Sequence, residues 1–352
     1  MLLLETLAAV PAALDQIPPI TWAYVGFFGL VALFLALDLG VFHREAHVVG
    51  MREAVTWTVI WIATALLFNL LVFFLYERHW LGLGLNVPQL DGSTLPLVGG
   101  LEAAKLFFAG YVVEKSLSMD NVFVIAMIFG YFGTPAQFQH RVLFWGILGA
   151  LVMRGGMIAV GAQLIQNFSW VIYLFGGFLI LTAIKMAVVS TSNIDPEQNV
   201  LIRLVRRLMP VSTTYDGQKF FTRIDGRRAA TPLFLALVMV EFTDLVFAVD
   251  SIPAIFAITA DPFLVLTSNV FAILGLRSLY FCLAAMLDKF RYLKPALVGV
   301  LAFVGVKMLL VHSTWKIDTT VSLAVVLTIL TAGVVASVIA ARRSGERLGG
   351  AT

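Results

Sequence analysis

Charge is what this chain has least of. Only 13% of its 352 residues are Asp, Glu, Lys or Arg, about half the share found in soluble domains. So few charges cannot cover one or two globular domains with a polar surface. Disorder is excluded as well, because it needs low hydrophobicity and high net charge, whereas 60% of this chain is hydrophobic and its formal charge is +3. That small charge gives no sign of a nucleic-acid partner. Cysteine is almost missing: Cys282 stands alone inside an apolar run, so neither a disulfide framework nor a multi-cysteine metal site can form. The five histidines, His43, His47, His79, His140 and His312, are scattered near the ends of apolar runs, where they read as interfacial side chains. No Gly-rich phosphate loop occurs, and no polar stretch is long enough for a nucleotide-binding domain. An ATP-driven machine within this chain is therefore excluded.

What the chain has in quantity is long apolar runs. Runs of roughly 20 residues mark membrane-spanning helices, and nine are expected, at about 21–42, 55–76, 98–129, 141–163, 169–189, 232–258, 263–286, 295–312 and 319–341. The residues before them include Glu5, Asp15 and three prolines without a basic stretch; they read as an interfacial leader rather than a cleaved signal peptide. Basic residues sort between alternate loops. With the N-terminus outside, 16 Lys and Arg fall in inside loops, against Arg78 and Lys316 outside. The positive-inside rule then gives an N-out, C-in chain. Trp22, Trp57, Trp80, Trp145, Trp170 and Trp315 lie near the expected helix ends, as an aromatic belt requires.

The chain divides into five parts on this reading: 1–97 with two peripheral spans, 98–189 as a three-helix unit, 190–231 as a basic cytoplasmic loop, 232–312 as a second three-helix unit, and 313–352 with the last span and a basic tail. In the loop, Asp216-Gly217 and Asp225-Gly226 flank a short alternating stretch, which predicts a small hairpin. Contact of this basic loop with anionic lipid explains its charge without any regulatory role.

Six basic residues remain inside spans, Lys105, Lys115, Arg154, Lys185, Arg277 and Lys307, with the acids Asp38, Glu102, Glu114, Asp120, Glu241, Asp244 and Asp250. Glu102 and Lys105 belong at an interface. A deeper ionisable group costs on the order of 2.5–3.5 kcal/mol even on the lenient insertion scale, which makes each one a candidate functional residue. These charges also repeat in order. Glu114 and Asp120-Asn121 in the third span correspond to Asp244 and Asp250-Ser251 in the sixth, with Tyr111 standing where the second copy has Glu241. Arg154 and Arg277 follow, then Lys185-Met186 and Lys307-Met308. A three-helix unit therefore occurs twice. Three is odd, so the copies run in opposite senses, the inverted repeat of many secondary transporters.

Residues six apart on a helix are 120° from a shared face, so Glu114 and Asp120 need a local break to reach one ion. Pro253 predicts such a break in the second copy, freeing the Val249 carbonyl beside Asp250. Five acids, Glu114, Asp120, Glu241, Asp244 and Asp250, are then expected to converge with Ser118, Asn121 and Ser251. Oxygen donors of these kinds suit Mn²⁺, Mg²⁺ and Ca²⁺, and the lack of His and Cys argues against Zn²⁺ or Cu⁺. Lys115, Arg154, Lys185, Arg277 and Lys307 are expected to balance charge or gate the site. Their pairing with the acids one to one would instead give a neutral network that only holds helices together. Asp38, at the cytoplasmic end of the first span, reads as a helix cap or the guard of an entrance.

The segments Glu114-Lys-Ser-Leu-Ser-Met-Asp-Asn-Val-Phe and Glu241-Phe-Thr-Asp-Leu-Val-Phe-Ala-Val-Asp-Ser-Ile-Pro-Ala-Ile closely resemble the two signature segments of TerC-family integral membrane proteins. This bacterial group includes the Alx proteins and belongs to the wider LysE transporter superfamily. The resemblance runs from Asp38 through Lys307. It implies an all-α, LysE-like membrane protein of the bacterial inner membrane that exports Mn²⁺ from the cytoplasm by ion or proton exchange. The metal is cargo, with no resident cofactor and no catalysed reaction. A Ca²⁺/H⁺ exchanger and a membrane scaffold for a metal or tellurite stress response are the alternatives. An intramembrane aspartyl protease built on Asp120 and Asp250 lacks the Gly-x-Gly-Asp context it would need. Metal selectivity and oligomeric state are left open by the residues.

Overall fold

The computed structural model describes residues 18–40, 49–188, 200–224, 226–284 and 292–349, with 38–40, 200 and 341–349 by backbone alone. The expected interfacial leader, His43, His47, Arg44, Lys289, Arg291 and the side chains of Asp38, Arg342, Arg343 and Arg347 lie outside the described residues. In chain order the helices are α1 (Pro19–Gly40), α2 (Met51–Glu77), α3 (Gly100–Phe132), α4 (Ala136–Asn167), α5 (Val171–Val188), α6 (Val200–Leu208), α7 (Pro232–Phe256), α8 (Pro262–Leu274), α9 (Leu276–Ala284), α10 (Leu293–Leu309) and α11 (Thr319–Gly349).

Six of these helices are long and apolar enough to cross a membrane, or seven if α8 and α9 form one span. Two further expected spans fall short on simple grounds: α3 carries five charged residues, and α10 has only 17 residues. The exterior is apolar. Val59, Leu67, Val152, Leu181 and Val188 point outward, as side chains do on helices that meet lipid rather than water. Trp22, Trp80, Trp145, Trp170 and Trp315 are also exposed, which suits amphipathic rings at a membrane interface.

The helices that position the charges are α3, α4 and α5 on one side and α7, α8 and α10 on the other. The most extensive packing joins α5 to α10, α3 to α8 and α4 to α7, with α3 also against α7 and α4 against α8. This pattern is unchanged when the two triplets are exchanged. At the α5–α10 contact Gly176 and Gly305 face each other, and a Cβ on either would come within 3.0 Å of the other's carbonyl oxygen. Small residues let helix backbones approach this closely where lipid supplies no hydrophobic drive. α1 and α2 pack outside this core through a ring cluster in which Phe68 meets Phe271 at 4.5 Å between centroids and Phe27 meets Phe68 at 5.6 Å.

The expected break at Pro253 is absent. α7 is one helix from Pro232 to Phe256. The proline sits in its last turn, where it removes a single backbone hydrogen bond close to an end that frays in any case. The bent span is the next one, where α8 and α9 meet at Gly275 with an angle of 43°.

Small β-hairpins mark opposite ends of the bundle. At one end β1 (Leu85–Pro88) pairs with β2 (Thr94–Leu97). The Asp91 carboxylate in its loop meets the Lys316 ammonium at 3.0 Å, and His312 lies between Tyr173 Oη at 3.0 Å and the Asp91 carbonyl at 3.3 Å. At the other end β3 (Phe221–Ile224) pairs with β4 (Arg227–Ala230), so the expected hairpin forms around the connection 225–226, where Gly226 has φ 78°. The earlier Asp-Gly pair makes a separate turn, in which the Asp216 carboxylate accepts from Lys219 Nζ and Thr222 Oγ1. Tyr215 Oη donates to the Phe132 carbonyl at 2.8 Å and the Arg141 guanidinium lies 5.1 Å over the Phe220 ring. This segment is therefore clamped to the ends of α3 and α4.

Two expectations follow. Gly305→Val should destabilise the α5–α10 contact by roughly 1–3 kcal/mol through overpacking, whereas Gly177→Val, where a Cβ meets nothing within 4 Å, should not. Thermal unfolding in detergent separates the two, and equal losses would refute the close-contact account. For the outer strap, the Ser93 hydroxyl and then the Lys316 ammonium hold the Asp91 carboxyl down at about 2. A carboxyl depressed in the folded state stabilises above its ordinary value of about 4 and loses that contribution as pH falls through the depressed one. Spin labels at Gln89 and Trp315 should keep one narrow distance from neutral pH down to about 4 and broaden between there and about 2.

Candidate functional site

Arg154 organises the charged centre. It lies midway along α4, 2% exposed. Its guanidinium donates through Nε to Asp244 Oδ2 at 3.1 Å and through Nη2 to Asp244 Oδ1 at 2.8 Å. Nη1 donates to Glu114 Oε1 and, at 3.2 Å, to Ser251 Oγ. The fork against Asp244 is the bidentate geometry a planar guanidinium favours and an ammonium cannot reproduce. Glu114 comes from α3 and Asp244 from α7, the acids that the sequence pattern sets in correspondence. One arginine thus closes a clasp across both triplets. Asn121 Nδ2 adds a long contact to Asp244 Oδ1 at 3.4 Å.

Beside this clasp is a cavity of about 40 Å³ lined by Glu114, Asp120, Asn121, Arg154, Asp250 and Ser251, with Thr182 and Met186 from α5 and the apolar Leu117, Phe247 and Leu301. A water needs on the order of 10–15 Å³ of such space, so the cavity admits two or three water-sized centres. Asp120 and Asp250, the second corresponding pair of acids, both line it. Thr182 Oγ1 donates to Asp250 Oδ1 at 2.8 Å. Lys185 lies within electrostatic reach of Asp250, and Lys294 within reach of Asp120. Not all oxygens are satisfied: Glu114 Oε2 and Ser118 Oγ are buried without a hydrogen-bond partner.

Some expected placements are corrected here. Of the five acids, Glu114, Asp120 and Asp250 line one cavity while Glu241 and Asp244 do not, and among the described residues no three His, Cys, Asp or Glu side chains form a group that could hold a metal. Arg154 holds two of the carboxylates, Glu114 and Asp244. Glu241 does not line the cavity; it packs against Gly149, where a Cβ would overlap its carboxylate, and its Oε2 is buried without a hydrogen-bond partner. Glu114 and Asp120 reach one cavity without a break in α3, because six residues rise about 9 Å along the axis and the two acids line different levels. The basic residues do not pair one to one with the acids either. Lys115 Nζ donates to the Ala272 carbonyl at 3.2 Å, near the α8–α9 bend, a favourable place for a cation at a helix C-terminus. Lys307 lines a separate cavity of about 100 Å³ at the β1–β2 end, with Glu102 and Lys316. Arg277 is buried in α9 and does not line the central cavity, and Lys185 is exposed. The sequence reading missed Thr182. Its signal was present, as the only Ser or Thr in α5, one turn before Lys185.

Residues 100–345 match the Integral membrane protein TerC family. The chain belongs to that family. Both acidic segments lie inside the match, so the resemblance they carry holds. The TerC-family chain is 47% identical over 326 residues to membrane protein STKORF319 of Myxococcus xanthus, covering 93% of this chain and 94% of that one. It is 44% identical over 313 residues to Alx of Escherichia coli (strain K12), with 89% and 92% covered, a protein whose name gives it as a proposed membrane-bound redox modulator. A membrane protein of Rickettsia felis is 38% identical over 317 residues, with 90% and 97% covered. No solved structure matches. Family and apolar helices together make this a multi-pass integral membrane protein.

The clasp has a measurable consequence for stability. Replacing one member of a buried, bonded charge pair costs roughly 3–5 kcal/mol, because it strands the other charge. Asp244→Asn should therefore sharply reduce the fraction of protein that elutes as a folded species in detergent. Asp120→Asn, which breaks no ion pair with Arg154, should leave it near wild type. If the two variants behave alike, the clasp is not what holds α3, α4 and α7 together.

Proposed function

We propose that this protein exports divalent cations, Mn²⁺ before others, from the cytoplasm of a bacterial cell across its inner membrane, in exchange for protons or another ion. The observation that carries the reading is the buried cavity between the triplets, which has one aspartate from each sequence copy, Asp120 and Asp250, and further oxygens from Asn121, Ser251 and Thr182. Carboxylate, amide and hydroxyl oxygens at membrane depth suit a hard cation that has shed part of its water. Paired acids on corresponding helices also fit a binding site between inverted repeats, and the exchange-symmetric packing of the two triplets supports that architecture. On this reading the chain has nine spans, an outside N-terminus and an inside C-terminus. The 200–231 segment and its arginines then face the cytoplasm, and the β1–β2 hairpin faces outward.

The name of the E. coli relative suggests redox chemistry. A direct thiol–disulfide role has no intramolecular partner here, since Cys282 is the single cysteine. Altered metal balance offers an indirect route to a redox effect.

The test is Mn²⁺ efflux from proteoliposomes carrying wild type or Asp250→Asn, with Ca²⁺, Mg²⁺ and Fe²⁺ measured alongside. Loss of one of the cavity's two aspartates should lower Mn²⁺ flux at least about ten-fold, the scale on which even outer-shell partners of a metal site act. Equal flux in the two proteins would remove the cavity from the pathway. Preference for Ca²⁺ would make the protein a calcium exchanger instead.

A further inference from the structure

We propose that Arg154 is a tethered competitor of the cargo: its guanidinium and the divalent cation take turns on Glu114 and Asp244. The proposal rests on the transport reading above and adds to it how the site empties and resets.

Three observations lead there. First, the guanidinium bonds corresponding carboxylates of the two copies, Glu114 on α3 and Asp244 on α7, although the corresponding Arg277 does not line the cavity. The asymmetry gives one arginine to two acids, of which Glu114 lines the cavity. Second, the clasp leaves donors over. Glu114 lines the cavity and is fully buried, yet its Oε2 has no hydrogen-bond partner, nor does Ser118 Oγ one turn along α3. An unpartnered buried carboxylate oxygen beside a space large enough for an ion and water marks a position built for a ligand. Third, Glu114, Asp120 and Asp250 line one cavity, yet among the described residues no three His, Cys, Asp or Glu side chains form a group that could hold a metal, and Arg154 holds Glu114 and Asp244. Releasing the guanidinium frees Glu114, which already lines the cavity, and Asp244, which meets the cavity-lining Asn121 at 3.4 Å.

Local sequence lets this happen. Arg154 is followed by Gly155 and Gly156 in the middle of α4, and a Cβ at either position would meet nothing within 4 Å. Close packing does not require these glycines, and glycine softens a helix at the turn that carries the arginine. When the cation arrives, the guanidinium withdraws and α4 loses its clasp on α3 and α7. When the cation leaves, the guanidinium returns and neutralises two carboxylates that would otherwise stand uncompensated in a buried site. Asp120 and Asp250 remain for the exchanged ion.

The experiment uses full-length protein in proteoliposomes: wild type, Arg154→Gln, Arg154→Lys and Asp250→Asn, with radiolabelled Mn²⁺. Equilibrium binding, Mn²⁺/Mn²⁺ exchange and net efflux are read separately. A competitor that occupies most of the sites lowers apparent affinity by the fraction left open. Arg154→Gln should therefore bind Mn²⁺ about ten-fold more tightly, keep exchange and lose net efflux, because nothing resets the empty site. Arg154→Lys should fall between wild type and Arg154→Gln in affinity and recover part of the net efflux, since one ammonium cannot hold both carboxylates in fork geometry. It also carries the test if the glutamine variant does not fold. Unchanged or weaker Mn²⁺ binding in both arginine variants, with Asp250→Asn impaired, would overturn the tether and leave the transport reading standing. Wild-type protein that neither binds nor moves Mn²⁺ would overturn the transport reading, and the tether with it.

Discussion

A single buried guanidinium sets the terms for the rest of the charged centre. Arg154 brings an acid from α3 and an acid from α7 onto one planar group, at a depth where either carboxylate alone would be severely penalised. That requirement fixes how closely α4 must pack on α7 and which acids are left without a cation of the protein. Gly149, one turn before the arginine's own turn, has to be small because Glu241 packs against it. The clasp adds little as net stability, since a buried ion pair mostly repays its own desolvation. It acts through what its loss would leave behind.

Around that clasp the acids fall into two groups, with Glu114 touching both. Glu114 and Asp244 are gripped by a cation of the protein. Asp120 and Asp250 face a space of about 40 Å³ with hydroxyl and amide neighbours. The lysines serve elsewhere: Lys115 at the end of α8 and Lys307 in the outer cavity. A neutral network of one-to-one pairs would have used these bases against the acids. The observed separation instead leaves Asp120 and Asp250 beside one small, mostly apolar cavity, the arrangement on which the proposed cation route rests.

Much of this was legible in the residues. Helix α3 was readable although charge interrupts it, because its apolar positions persist on both sides of Glu114 and Asp120. Asp216-Gly217 makes a turn without strands, while Gly226 lies between the paired strands β3 and β4, since strand pairing needs apolar partners such as Phe221 and Ala230 in register. Pro253 misled because a proline breaks a helix only where helix would otherwise continue, and α7 ends three residues later. Glu241 and Asp244 share a helical face, yet the long glutamate turns to a glycine on α4 while the aspartate meets Arg154. Thr182 was overlooked because a lone hydroxyl in an apolar helix usually bonds its own backbone.

Composition and the spacing of charges by themselves determined that this chain lives in a bilayer and that acids with amide and hydroxyl neighbours lie within its apolar helices. Those properties follow from solvation and helical period, which act locally. Which acid meets which base was decided only by tertiary structure. Glu114, Arg154 and Asp244 come from three helices, and their side chains meet through distances that depend on how α3, α4 and α7 cross. No periodicity in any one helix carries that information, because the selection of partners is a property of the contact and not of the segment.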